Sequence, residues 1–207
     1  MQPSSPLLAA LRTATAPHHR RTEAVIPILD PTLDLVGYAT VLRRMLDVLG
    51  PLEAALDDVL AAAALPWVDP AIDWRARHKA PLLARDLAAL AARGVVPAAD
   101  DASGTAAWRG EHTPWPDDGA AAVGALYVLE GATLGGQVVL RRVAPRLGLV
   151  EATGAAFYTG YGARTGAMWQ SFAATVAAWE TTHAAEAPAV IAGACRTFDR
   201  LTARFAA

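Results

Sequence analysis

Gly124-Ala-Leu-Tyr-Val-Leu-Glu-Gly-Ala-Thr-Leu-Gly-Gly-Gln137 lies in a long apolar run with helical spacing, and it carries glycines at 124, 131, 135 and 136. An interior glycine weakens a helix by roughly 0.5–1 kcal/mol relative to alanine. The chain uses alanine freely elsewhere, so four glycines here need a cause. Gly131 and Gly135 stand four residues apart and share a helical face, and Gly136 is expected to widen the bare surface. Backbone without side chains admits either a flat ligand or a second helix at close range. The stretch alone leaves both readings open. No strand precedes the glycines, which argues against a phosphate-cradling turn.

Outward from this segment the pattern is helical throughout, with apolar residues recurring every three or four positions and almost no strand signal. A first helix is expected over Pro6–Val25, restarted near Thr15 because Pro17 removes a backbone donor. Ile26–Pro31 reads as a connector. Further helices are predicted over Asp34–Ala64 (bent at Gly50-Pro51), Asp73–Arg93 (ended by Gly94) and Asp118–Leu147. Two more follow over Ala155–Ala184, punctuated by Gly160, Gly162 and Gly166, and over Pro188–Arg204. Pro97–Pro116, rich in Asp, Gly and Pro, is the longest loop. No repeat or Gly/Ser linker divides the chain. The reading is one all-α helical bundle over residues 1–207, with loose termini at 1–6 and 206–207.

The chain has 207 residues, ample for a buried core, and a net charge of −2 that gives no reason to expect nucleic acid as a partner. Its single cysteine, Cys195, rules out an internal disulfide and fits a reducing, cytoplasmic setting. The N-terminus lacks the basic-then-apolar order of a signal peptide. Apolar segments are read as interrupted by charge before the roughly 18 residues of a membrane span, so no membrane association is expected.

Two side-chain groups carry chemistry. His19 and Glu23 are spaced i, i+4, so the carboxylate can hold one imidazole nitrogen and leave the other free for a metal. A lone neutral imidazole is what a heme iron takes as an axial ligand, although such a pair is more often a solvated surface pair. Arg12 lies two turns earlier on roughly the same face, where a guanidinium suits a carboxylate. No two histidines have the spacing of a helical metal pair. Cys195 in an apolar helix reads as a core thiol.

Taken together these residues resemble the heme oxygenase family, in its bacterial phytochrome-associated branch. Leu11-Arg-Thr-Ala-Thr-Ala-Pro-His-His19…Glu23 resembles that family's proximal motif and selects His19 over His18. Gly124–Gln137 resembles its distal helix. Tyr161-Gly-Ala-Arg-Thr-Gly-Ala-Met-Trp169…Phe172 and Arg77-His-Lys79…Leu83…Asp86-Leu87 are similar to its later and middle segments. The resemblance implies heme b, as substrate and cofactor, sandwiched between the first helix and the distal helix. It also implies cleavage of heme by O2 and an external electron donor to biliverdin, CO and ferrous iron. The donor would be a reductase, ferredoxin or flavodoxin, and a bacteriophytochrome is the implied biliverdin acceptor. His19 would ligate iron, with Gly131 and Gly135 steering oxygen. Arg12, Glu23, Tyr127, Ala132, Gly136, Tyr161 and Arg164 would line the ligand.

The chain departs from the mammalian pattern at two places. Ala132 stands where those members carry an aspartate that orders water, which leaves Glu130 and Gln137 as proton-relay candidates. Gly162 stands where they place a propionate-binding arginine, which leaves Tyr127, Tyr158, Tyr161 and Arg164 as substitutes. The alpha biliverdin isomer is the default. Competing readings are a heme carrier or sensor without turnover, a thiaminase-II-like enzyme on a related helical fold, and a helical interaction module in which the glycines only pack helices.

Overall fold

The computed structural model describes residues 5–62, 73–99 and 115–206, and all its long elements are helices. They are α1 (Pro6–Val25), α2 (Leu35–Ala62), α3 (Ala80–Ala91), α4 (Gly119–Arg142), the single-turn α5 (Ala156–Thr159), α6 (Thr165–His183) and α7 (Ala187–Ala206). Short 3-10 turns link several of them. Most of the loop expected over Pro97–Pro116 lies outside the described residues.

Helix starts follow the caps. Ser5 Oγ accepts from the Leu8 amide at 3.2 Å, with Pro6 in the first turn of α1. Asp118 does the same for α4, accepting from the Ala121 amide at 2.7 Å. Ser5 also donates to Glu180 at 2.6 Å and is buried. Residues 5 and 6, expected in a loose end, are therefore tied down, and Ala206 belongs to α7.

Breaks fall where backbone chemistry forces them. The helix expected from Asp73 instead begins at Ala80. The Lys79 and Ala80 amides donate to Glu53 at 2.5 and 3.1 Å, and Pro81 opens the first turn. The helix ends at Ala91, and the chain turns away at Gly94 (φ +77°), the glycine expected to close it. α4 stops at Arg142, ahead of Pro145 and of Gly148 at φ +64°. The helix expected over 155–184 splits because Gly160 and Gly162 take φ of +54° and +57°. Pro17 does not restart α1. Thr15 is buried and bonds back to the Leu11 carbonyl at 2.7 Å, so it is not a cap.

α7 is the shared support of the bundle, packed along both α4 and α1, while α1 and α4 have no extended contact of their own. Leu11, Leu42, Leu56, Leu83, Leu90, Val123, Val176 and Val190 form part of one continuous core. Contrary to expectation, Gly119–Arg142 is long and apolar enough to cross a membrane, with a mean hydropathy of 1.4. Its single acidic residue, Glu130, does not lower the average enough. More than half of that window (56%) is buried inside the bundle, as in a core helix.

Asp86 joins α3 to α5. Its carboxylate is fully buried and accepts from the Ala156 and Phe157 amides at 2.7 and 2.8 Å, while burial pushes its carboxyl up from the usual range. Replacing it with alanine leaves two buried amides unpaired, which costs on the order of 2–4 kcal/mol. Asp86→Ala is expected to lower the urea midpoint accordingly without changing the m-value. A loss below about 0.5 kcal/mol would contradict this role.

Candidate functional site

Gly124, Gly131 and Gly135 are spaced by seven and four residues and share one face of α4. Their surroundings differ. A Cβ on Gly124 would stand 2.2 Å from the Val190 carbonyl oxygen and 2.5 Å from the Ala194 amide. One on Gly193 would stand 2.8 Å from the Ala121 backbone. The first half of α4 and α7 therefore meet backbone to backbone. A Cβ on Gly131 or Gly135 would meet nothing within 4 Å. Gly135 and Ala132 are exposed, and Leu134 is 40% exposed. The bare face that packs on α7 at Gly124 continues into open space.

Gly136 does not widen this strip. It is buried, and a Cβ there would lie 3.4 Å from the Tyr158 carbonyl oxygen. One residue beyond Gly135 is a turn of about 100°, which carries it to the α5 side.

On α1, His19 is 55% exposed and its Nδ1 lies 3.2 Å from Glu23 Oε2. Its ring sits edge-on to Phe198 of α7 at 5.5 Å. With Nδ1 held by the carboxylate, Nε2 is left to ligate. His18 is only 22% exposed, and its Nδ1 faces Asp199 at 2.7 Å and Arg21 at 2.8 Å. The two adjacent histidines thus have different surroundings. Arg12 is exposed on the same helix as His19, and Arg164 is exposed just before α6.

Near the strip, Tyr127 packs on Trp169 at 6.1 Å between ring centres, and Trp169 on Phe172 at 5.6 Å. The other tyrosines look inward. Tyr158 is buried beside Tyr38, and desolvation raises its phenol well above the ordinary value. The Tyr161 hydroxyl donates to Glu130 at 2.6 Å and accepts from Lys79, and burial with the Glu130 charge raises its pKa. The Tyr161 hydroxyl is thus engaged on both sides, whereas the Tyr158 hydroxyl is buried without a hydrogen-bond partner among the described residues.

The proton-relay candidates are also occupied. Glu130 is 2% exposed and pairs with Arg77 at 2.5 Å and Lys79 at 3.6 Å. Gln137 donates to the Tyr158 and Thr159 carbonyls at 3.5 Å. Arg77 also reaches the Met168 carbonyl at 3.2 Å. Burial brings the Lys79 pKa down to about 8, against the opposing pull of Glu130 and Glu53. This cluster was not anticipated from the sequence. The available signal was Glu130 itself, a lone carboxylate in an apolar helix that must find buried partners.

The two groups of glycines give opposite expectations in the ligand-free protein. Gly131→Ala and Gly135→Ala should each stabilise it by about 0.5–1 kcal/mol, since the methyl enters open space and improves helix propensity. Gly124→Ala should destabilise it by at least about 2 kcal/mol by forcing α4 off α7. Chemical denaturation measures both. Destabilisation at Gly131 and Gly135 comparable to that at Gly124 would show that all the glycines are packing residues.

The family profile described as "Heme oxygenase" matches residues 5–207. Among solved structures, the chain is similar to heme oxygenase 2 from Chlamydomonas reinhardtii, crystallised without heme. Identity is 19% and the TM-score 0.75, covering 98% of this chain and 97% of that one. It is also similar to the heme oxygenase from Leptospira interrogans, at 18% identity and TM-score 0.67, covering 96% and 98%. No curated protein matches at a significant level. At these identities the solved structures establish the fold, and the profile establishes the family. The chain belongs to the heme oxygenase family.

Proposed function

We propose that the protein cleaves heme to biliverdin, CO and ferrous iron, using O2 and an external electron donor. The observation that carries this is the open strip at Gly131 and Gly135. Two glycines weaken a helix without serving a helix contact, so the bare backbone is available to a flat ligand. The residues fit heme. His19 presents one nitrogen with the other held by Glu23, and the strip offers a surface on which a porphyrin lies close to the backbone. Exposed Arg12 and Arg164 are the candidate cations for propionates, since Tyr161 is committed to Glu130 and Tyr158 is buried.

Bound heme supplies the iron at which O2 is reduced and the ring that is opened. The protein's part is steering. Backbone at Gly131 and Gly135 limits the direction from which a small ligand lies over the ring, and the absence of bulk leaves room for water as proton carrier. With Ala132 in place of a carboxylate, and Glu130 and Gln137 engaged, solvent water along the exposed strip is the proton source. Electrons come from a reductase, ferredoxin or flavodoxin. The default product is the alpha isomer, which a bacteriophytochrome can accept, and the setting is the cytoplasm.

A second reading, a heme carrier or sensor without turnover, is favoured by one observation. No free carboxylate stands on the strip at 131–135. The thiaminase-like alternative needs a catalytic thiol or a polar pocket; burial and Asp199 push the Cys195 thiol up.

Adding hemin and then reductant in air separates these readings. The expected outcome is a six-coordinate Soret complex that converts to a biliverdin spectrum. A complex that never bleaches means a carrier, and no Soret change refutes heme binding. His19→Ala should abolish the axial-ligand spectrum while His18→Ala preserves it. The reverse would refute the choice of His19.

A further inference from the structure

Glu130 is the last residue of α4 before the bare strip, and three side chains from two other segments of the chain converge on it. Arg77, from the turn before α3, pairs with one carboxylate oxygen at 2.5 Å and also donates to the Met168 carbonyl on α6 at 3.2 Å. Tyr161, from the turn between α5 and α6, donates to the other oxygen at 2.6 Å. Lys79 donates to the Tyr161 hydroxyl and lies 3.6 Å from the same carboxylate. The Lys79 amide in turn bonds to Glu53 of α2 at 2.5 Å. Arg77, Lys79, Glu53 and Glu130 are each at most 3% exposed.

Two cations and two carboxylates balance inside the protein. Replacing such a set by apolar residues is often neutral or stabilising, so stability alone gives little reason for it. What it supplies is geometry. Two charge-assisted hydrogen bonds and an ion pair fix the rotation and slide of α4 one residue before Gly131. The same Arg77 ties α4 to the α6 turn that holds Trp169, the partner of Tyr127 beside the strip.

We propose that Arg77, Lys79 and Tyr161 are positioning residues. Acting through Glu130, they set where the Gly131–Gly135 backbone stands over the ligand, and therefore which meso carbon is attacked. The last step rests on the heme reading above. The first does not, and it can be tested without ligand.

The test uses Tyr161→Phe, which removes one hydroxyl, and Glu130→Gln, which removes the charge but keeps an acceptor. Amide hydrogen exchange on the ligand-free protein reads the first step. Both variants should speed exchange at least about fivefold across 130–138 of α4 and leave α1 unchanged. Exchange that stays at the wild-type rate in α4, or rises evenly through the protein, overturns the positioning role. The second step is read from the CO-stretching frequency of the ferrous complex and the ratio of biliverdin isomers. Both should shift in the variants while the His19-ligated ferric Soret band stays put. Unchanged frequency and isomer ratio, with only a lower melting temperature, would make the network merely structural. If wild type binds no hemin, the heme reading fails, and the exchange result still decides the positioning role.

Discussion

A carboxylate buried in an apolar helix constrains everything packed around it. Glu130 cannot stay charged inside the bundle without partners, and it cannot be moved without breaking bonds to Arg77, Tyr161 and Lys79. Those partners come from the segment before α3 and the turn before α6. The helix expected from Asp73 begins only at Ala80, and the segment before it delivers Arg77 and Lys79 to Glu130. The second half of α4 is thereby held at one depth and one rotation.

The first half of α4 is held by a different force. Gly124 and Gly193 let α4 and α7 approach backbone to backbone, and dispersion and excluded volume fix their spacing. α7 then carries α1 on another side through the Thr22–Thr202 and His19–Phe198 contacts. The two helices that bear the proposed ligand contacts are therefore positioned by a common neighbour. That arrangement leaves their exposed surfaces available, because neither is spent on the other.

Much of this was legible in the sequence. Helical spacing and Gly94 located real boundaries, and the anomaly of Gly131 and Gly135 marked the open strip. Periodicity cannot say which glycine meets another backbone, so Gly124 and Gly131 looked alike and Gly136 was misread. The direction of tyrosines was equally hidden. Tyr158 and Tyr161 face inward because of partners distant in sequence, which no local pattern contains. The network around Glu130 was invisible for the same reason, since its members are spread from Glu53 to Met168. Local chemistry wrote the helices; long-range pairing decided which faces remain free.

The central claim is that a heme ring lies between the His19 face of α1 and the Gly131–Gly135 strip of α4. Paramagnetic broadening of backbone amide signals on addition of ferric hemin measures this most directly, because the effect falls steeply with distance from iron. The amides of His19, Gly131 and Gly135 are all expected to broaden strongly, while those of Gly124 and Gly193, covered by helix packing, broaden least. Strong broadening at His19 with sharp signals at both Gly131 and Gly135 would contradict it.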